Sequence, residues 1–292
     1  MSNFPNFAGR TREKERVWAL VEPKLADVFS GFLYEEELNT FVAGMKVFLD
    51  KYYDAGVPYH GPVHVLYGLC FLLSQDEMDE EVLARELLLW LGHDAGHNGN
   101  AAESPEEKSM SIARAEFTPL ADEALDINAA WPAILMTKFP SDLEEKFSDA
   151  ECFRRDGRLL RVLDTLRIAA GGVSANALGL EDVDSFHVYL FECAGLWQEL
   201  GMEPEAWLRK GQLGFFFQHL RACCRKVDVF FYAELVESDV ELVAGAWKNH
   251  VRLSEIMSDG LTTSRLLELI DFAMKNDCTL PEFVSKAKEL RL

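Results

Sequence analysis

Basic residues are scarce in this 292-residue chain: Lys and Arg number 29 against 49 Asp and Glu, for a formal charge of −20. That balance argues against nucleic-acid polymers and anionic membrane surfaces as partners, since either would meet long-range repulsion. A small phosphate ester is compatible with it, because bound divalent cations reverse the sign locally. Cysteine is sparse as well. The six (Cys70, Cys152, Cys193, Cys223, Cys224 and Cys278) are scattered and form no CxxC pair. Several sit in apolar helical runs such as Leu69-Cys70-Phe71, which reads as reduced core thiols of an intracellular protein. No apolar run reaches the roughly 20 residues of a membrane span. The N-terminus, with Pro5, Asn6 and Arg10, has no apolar segment of the secretory kind. A soluble, cytoplasmic protein is expected.

Strand-type alternation is nearly absent, and so are internal repeats and long linkers rich in Gly, Pro or Ser. What remains is helical periodicity. It predicts helices over about 12–30, 35–54, from Pro62, 79–92, 104–117, 121–138, 154–170, 183–200, 205–235, 237–257, 262–275 and 280–290. Turn signals such as Gly56-Val57-Pro58, Gly171-Gly172 and Asp259-Gly260 separate them. The expectation is one compact all-α domain over residues 1–292, with a loosely attached first turn and last helix.

Against this plain background, four of the seven histidines fall in two short segments, Tyr59-His60-Gly61-Pro62-Val63-His64 and His93-Asp94-Ala95-Gly96-His97. Each pair is spaced i, i+4, which on a helix places both rings on one face. Pro62 suits the first position of a helix. His60 then lies just outside that helix as a proton donor, and His64 is held in its first turn as a metal ligand. The second segment ends an apolar helix, Val82-Leu83-Ala84 to Leu87-Leu88-Leu89-Trp90-Leu91. A buried His93-Asp94 pair is costly there unless a metal or a hydrogen-bond network satisfies it. Asp94 can bridge two metals, and His97, one turn on, is expected to support the ligands rather than join them. Asp164, an acid among Leu160, Leu163, Leu166 and Ile168, is the best candidate to close the coordination sphere. Its alternative role is a buried ion pair with Arg161 or Arg167.

This His…His-Asp…Asp order is that of the HD superfamily of metal-dependent phosphohydrolases. Over about residues 35–257 the chain more closely resembles the catalytic domain of class I cyclic-nucleotide phosphodiesterases. The family's Tyr-His-Asn-x-x-His segment is matched by Tyr59 to His64, with Gly61 in place of Asn, and its His-Asp-x-x-His by His93 to His97. Its base-binding Gln-x-Gly-Phe segment is matched by Gln212-Leu213-Gly214-Phe215. The resemblance implies a compact multi-helix HD-type domain that hydrolyses a 3′,5′-cyclic nucleotide, cyclic AMP or cyclic GMP, to the 5′-monophosphate in signal transduction. It implies two divalent ions: zinc on His64, His93, Asp94 and Asp164, and magnesium or manganese on Asp94 and waters. His60 would protonate the leaving oxygen, and Tyr59, Gln212 and Phe215 would contact the substrate.

The chain departs from the family at several points. The string Ala-Asp-x-Ser-Asn-Pro around the family's metal Asp is missing, and alignment on the preceding Val-Leu can place Arg167 or Ile168 at that Asp. The family's Glu-Asn-His-His segment is missing too, with Glu107 its nearest counterpart, expected to support the ligands. The family's Thr-Asp reads Thr137-Lys138. Two alternatives follow: an HD-type phosphohydrolase or di-iron oxygenase acting on another small substrate, or a catalytically degenerate nucleotide-binding or interaction protein.

Overall fold

A computed structural model describes residues 4, 7–75, 78–97, 105–125, 127–137, 151–210 and 237–292. Among them every regular element is helical and no strand occurs. The first helix, α1 (Thr11–Phe29), buries Val17, Val21, Leu25 and Phe29, a stripe at four-residue spacing. In α2 (Glu35–Tyr52) the stripe is Phe41, Val42, Met45, Phe48 and Leu49. Both helices are therefore amphipathic, each exposing a charged face to solvent.

The next two helices differ in kind. Every residue of α3 (Pro62–Leu72) is buried, and so is every residue of α4 (Glu80–Gly92) from Leu83 onward. Helices buried all round belong in the middle of a domain, and α3 packs against both α1 and α4. Each buried Leu or Val side chain contributes about 1.5–3 kcal/mol to holding this centre together. Pro62 begins α3 at its first position, while Asp79 caps α4 by accepting from the backbone N–H groups of Glu81 and Val82. Gly68 lets the two helices approach. A Cβ there would lie 2.1 Å from the Trp90 ring, which itself donates to the Val65 carbonyl at 2.8 Å.

Beyond the centre, α5 (Pro105–Leu125) packs on α4 and is followed by 3-10 turns at Ile127–Ala129 and Trp131–Thr137. Then comes α6 (Glu151–Val162), which widens into a π turn over Leu163–Arg167 before one more helical turn, Ile168–Ala170. Gly171 ends it at φ +58°, where a Cβ would meet the Ser185 carbonyl oxygen at 1.9 Å. Next are α7 (Ser185–Cys193), capped by Asp184, and the short α8 (Leu196–Glu199). The chain closes with α9 (Glu237–Ser258), α10 (Gly260–Lys275) and α11 (Leu280–Leu290).

Two boundaries and one docking differ from the expectation. The region expected as two helices over 104–117 and 121–138 is one helix to Leu125 followed by 3-10 turns. The helix expected over 183–200 breaks near Gly195, where a Cβ would meet the Pro58 Cβ at 2.2 Å. The last helix is firmly docked rather than loosely attached. Phe283 of α11 is fully buried, the Leu280 N–H donates to Glu13 at 3.1 Å, and Arg12 pairs with Glu282 at 2.7 Å.

Candidate metal centre

The first turn of α3, the end of α4 and the π turn of α6 converge. They bring together His64, His93, Asp94 and Asp164, whose donor atoms all lie within 4.8 Å of one another. His64 Nε2 is 3.3 Å from His93 Nε2, 3.5 Å from Asp94 Oδ2 and 3.4 Å from Asp164 Oδ1. His93 Nε2 is 3.1 Å from Asp94 Oδ2. Donors bound at about 2.1 Å to one ion stand about 3.0 Å apart at right angles and about 3.4 Å apart at the tetrahedral angle. The four separations given, 3.1 to 3.5 Å, lie at or close to that range.

The tautomers point the same way. His93 gives its Nδ1–H to the Trp90 carbonyl at 2.6 Å, and His64 gives its own to Glu192 Oε1 at 2.9 Å. In the neutral form of each ring the lone pair is therefore on Nε2, and the two Nε2 atoms face each other. Asp94 Oδ2, buried between them, has no hydrogen-bond donor. Converging lone pairs without donors are what a cation satisfies, so these residues fit a divalent metal.

The surrounding side chains fix the donors. Trp90 stacks on His93 with ring centroids 3.9 Å apart. The Tyr53 hydroxyl accepts from the Asp94 N–H at 3.2 Å and donates to the Leu91 carbonyl at 2.7 Å. Glu192 receives Nη1 of Arg167 at 3.0 Å on one oxygen and Nη2 on the other. Burial opposes ionisation of Glu192, but Arg167 and His64 outweigh it and hold its pKa below the ordinary value. Burial likewise opposes charge on His64, yet Asp164, Glu192 and Asp94 raise its pKa to about 9. A proton and a metal ion placed here would compete for the same lone pair. At Asp94, burial is overcome by His93, His97 and His60, which hold the carboxyl well below its usual range.

On the outer side of Asp94 lies a second group, His60, Asp94 and His97. His97 Nε2 is 3.5 Å from Asp94 Oδ1, so the two carboxylate oxygens face different groups. His60 and His97 stack with centroids 4.1 Å apart and planes at 14°. Glu199 anchors His60: Oε2 lies 2.5 Å from Nδ1, while Oε1 accepts the backbone N–H of His60 at 3.1 Å and that of Tyr59. Against the opposing effect of burial, Glu199, Asp94 and Asp164 raise the His60 pKa to about 9. For His97 burial dominates, and its pKa falls to about 4.

Of the residues read from the sequence, His60, His64, His93, Asp94, His97 and Asp164 meet here, and Tyr59 packs its ring 5.0 Å from that of His64. Arg167 is committed to Glu192, so it is not the counter-ion of Asp164. Glu107 is solvent-exposed on the first turn of α5 and belongs to neither group, so it does not support the ligands. Glu192 and Glu199 are the carboxylates that bond His64 and His60. Gly61, where the resembled family has Asn, has a local reason: a Cβ there would meet the Val57 carbonyl oxygen at 2.6 Å. Gln212 and Phe215 lie outside the described residues. Comparison with known proteins adds no relative, since no family model, curated protein or solved structure matches the chain.

Proposed function

We propose that this chain is a metal-dependent phosphodiesterase that hydrolyses a 3′,5′-cyclic nucleotide, cyclic AMP or cyclic GMP, to the 5′-monophosphate. The observation that carries the reading is the pair of facing Nε2 atoms of His64 and His93, with Asp94 and Asp164 beside them and both Nδ1 atoms tied back. Zinc would be held by His64, His93, Asp94 and Asp164. A second ion, magnesium or manganese, would take the other oxygen of Asp94. When bound, the ions supply Lewis-acid polarisation of the phosphoryl group and an activated water.

The protein's own part centres on His60. Its Nδ1 is engaged by Glu199, so Nε2 is the free edge, and a pKa of about 9 keeps that edge protonated at neutral pH. A positioned imidazolium beside the ligands is suited to protonate the leaving 3′-oxygen. His97 covers one face of the His60 ring and restricts its rotation. Tyr59 is proposed to line the substrate pocket, and Gln212 and Phe215 to hold the base. A cyclic nucleotide is a small anion, which a locally positive metal site attracts despite the overall charge of −20. The work of such an enzyme would be cytoplasmic signalling.

One observation favours a second reading. The imidazole of His97 beside Asp94 is a nitrogen donor that suits iron better than magnesium, as a dinuclear oxygenase would need. Metal analysis of the purified protein separates the two. Zinc with magnesium or manganese supports the phosphodiesterase; two irons with oxygen consumption support the oxygenase.

A further inference from the structure

Arg167 touches none of the four donor atoms, yet it is fully buried and every nitrogen of its guanidinium has a partner. Nε donates to the Leu163 carbonyl at 3.1 Å, closing the side chain back over its own π turn. The other two nitrogens grip Glu192 as a fork, the geometry in which a guanidinium orients a carboxylate most firmly. Glu192 passes that orientation on, because the same Oε1 that receives Nη2 also accepts Nδ1–H of His64.

The π turn makes this relay possible. Asp164 and Arg167 both belong to Leu163–Arg167. In an ordinary helix, residues three apart share a face; the wider π turn splays them further around the axis. Asp164 reaches the Nε2 edge of His64 at 3.4 Å, while Arg167 reaches its Nδ1 edge through Glu192. One turn therefore addresses a single ring at both nitrogens, directly at Nε2 and through Glu192 at Nδ1. The same guanidinium lies 5.7 Å from the Trp90 ring, which stacks on His93.

We propose that Arg167 is a positioning residue for the metal ligand His64, acting through Glu192; this rests on the metal reading above. A carboxylate can only accept, so a fixed and ionised Glu192 keeps the proton of His64 on Nδ1 and the lone pair on Nε2. Without Arg167, Glu192 would be a buried carboxylate with neither charge compensation nor a set orientation. His64 would then lose its held tautomer and ring angle.

The test is zinc affinity, measured by competition with a chromophoric chelator on wild type, R167M, R167K, E192Q and R167M/E192Q. R167M and E192Q are each expected to weaken binding roughly ten- to hundredfold, and R167K to recover part of the loss. The double variant should bind no worse than E192Q, since both substitutions break one relay. A structural role alone would instead lower stability to urea in R167M while zinc affinity stayed at the wild-type value. Wild-type affinity in R167M, or multiplying losses in the double variant, overturns the proposal. Should R167M fail to fold, R167K, E192Q and R167K/E192Q form the same cycle. A wild-type protein that takes up no zinc overturns the metal reading itself, and this proposal with it.

Discussion

His60 and His97 stack face to face, centroids 4.1 Å apart, yet their pKa values diverge to about 9 and about 4. Both are partly buried, which disfavours charge on each ring. Glu199 on Nδ1 of His60, with Asp94 and Asp164, overcomes that cost for one ring. The positive His60 then adds to the cost for its neighbour. Two rings of one chemistry are thereby sorted into one that stays protonated and one that stays neutral at neutral pH.

A pH profile follows from this sorting. His60 has a raised pKa, so its charged form persists through neutrality and is lost as pH rises through about 9. Its contribution to folding stability is complete below the unfolded value of about 6.5 and disappears as pH rises through about 9. Hydrolysis should accordingly fall on an alkaline limb near pH 9. In Glu199→Gln that limb should move to lower pH. An unchanged limb in the variant would remove Glu199 from the account.

Metal uptake should have the opposite pH dependence. His64 must give up a proton to bind, and its pKa is about 9. Zinc affinity is expected to rise roughly tenfold per pH unit between 7 and 9, then level off. Isothermal titration in two buffers of different protonation enthalpy would show about one proton released per ion. No proton release would mean His64 is not a ligand.

His60→Gln separates chemistry from binding. Its zinc content should equal that of wild type, because His60 is outside the four-donor group. Turnover should drop roughly 10²- to 10⁴-fold, the usual cost of losing a positioned general acid.

Gly68→Ala tests the packing behind the centre. The added methyl would meet the Trp90 ring, so α3 and α4 must separate or Trp90 must turn away from His93. Overpacking of this kind costs about 1–3 kcal/mol. Urea unfolding measures the loss, and zinc affinity should fall along with stability.

Much of the centre was legible in local pattern. His93-Asp94 at the end of an apolar helix is a charge among buried residues, and Asp164 is an acid beside Leu160, Leu163, Leu166 and Ile168. Glu192 carried that same signal in Phe186–Cys193, but its partner His64 lies 128 residues away and nothing local joins them. Glu199 sits in an ordinary polar stretch, Trp197-Gln198-Glu199, and its role arises only where α8 meets the loop before α3. The helices followed from periodicity because apolar stripes repeat along them. The π turn at Leu163–Arg167 did not, since one extra residue in a single turn barely shifts the apolar stripe. The break near Gly195 is set by Pro58 from a distant part of the chain, which no periodicity records.

The most direct measurement is turnover of cyclic AMP and cyclic GMP by protein reconstituted with zinc and either magnesium or manganese, beside Asp94→Ala and Asp164→Ala. The account predicts 5′-monophosphate from at least one nucleotide, abolished in Asp94→Ala and reduced at least tenfold in Asp164→Ala. No hydrolysis of either nucleotide by metal-loaded wild type would contradict it.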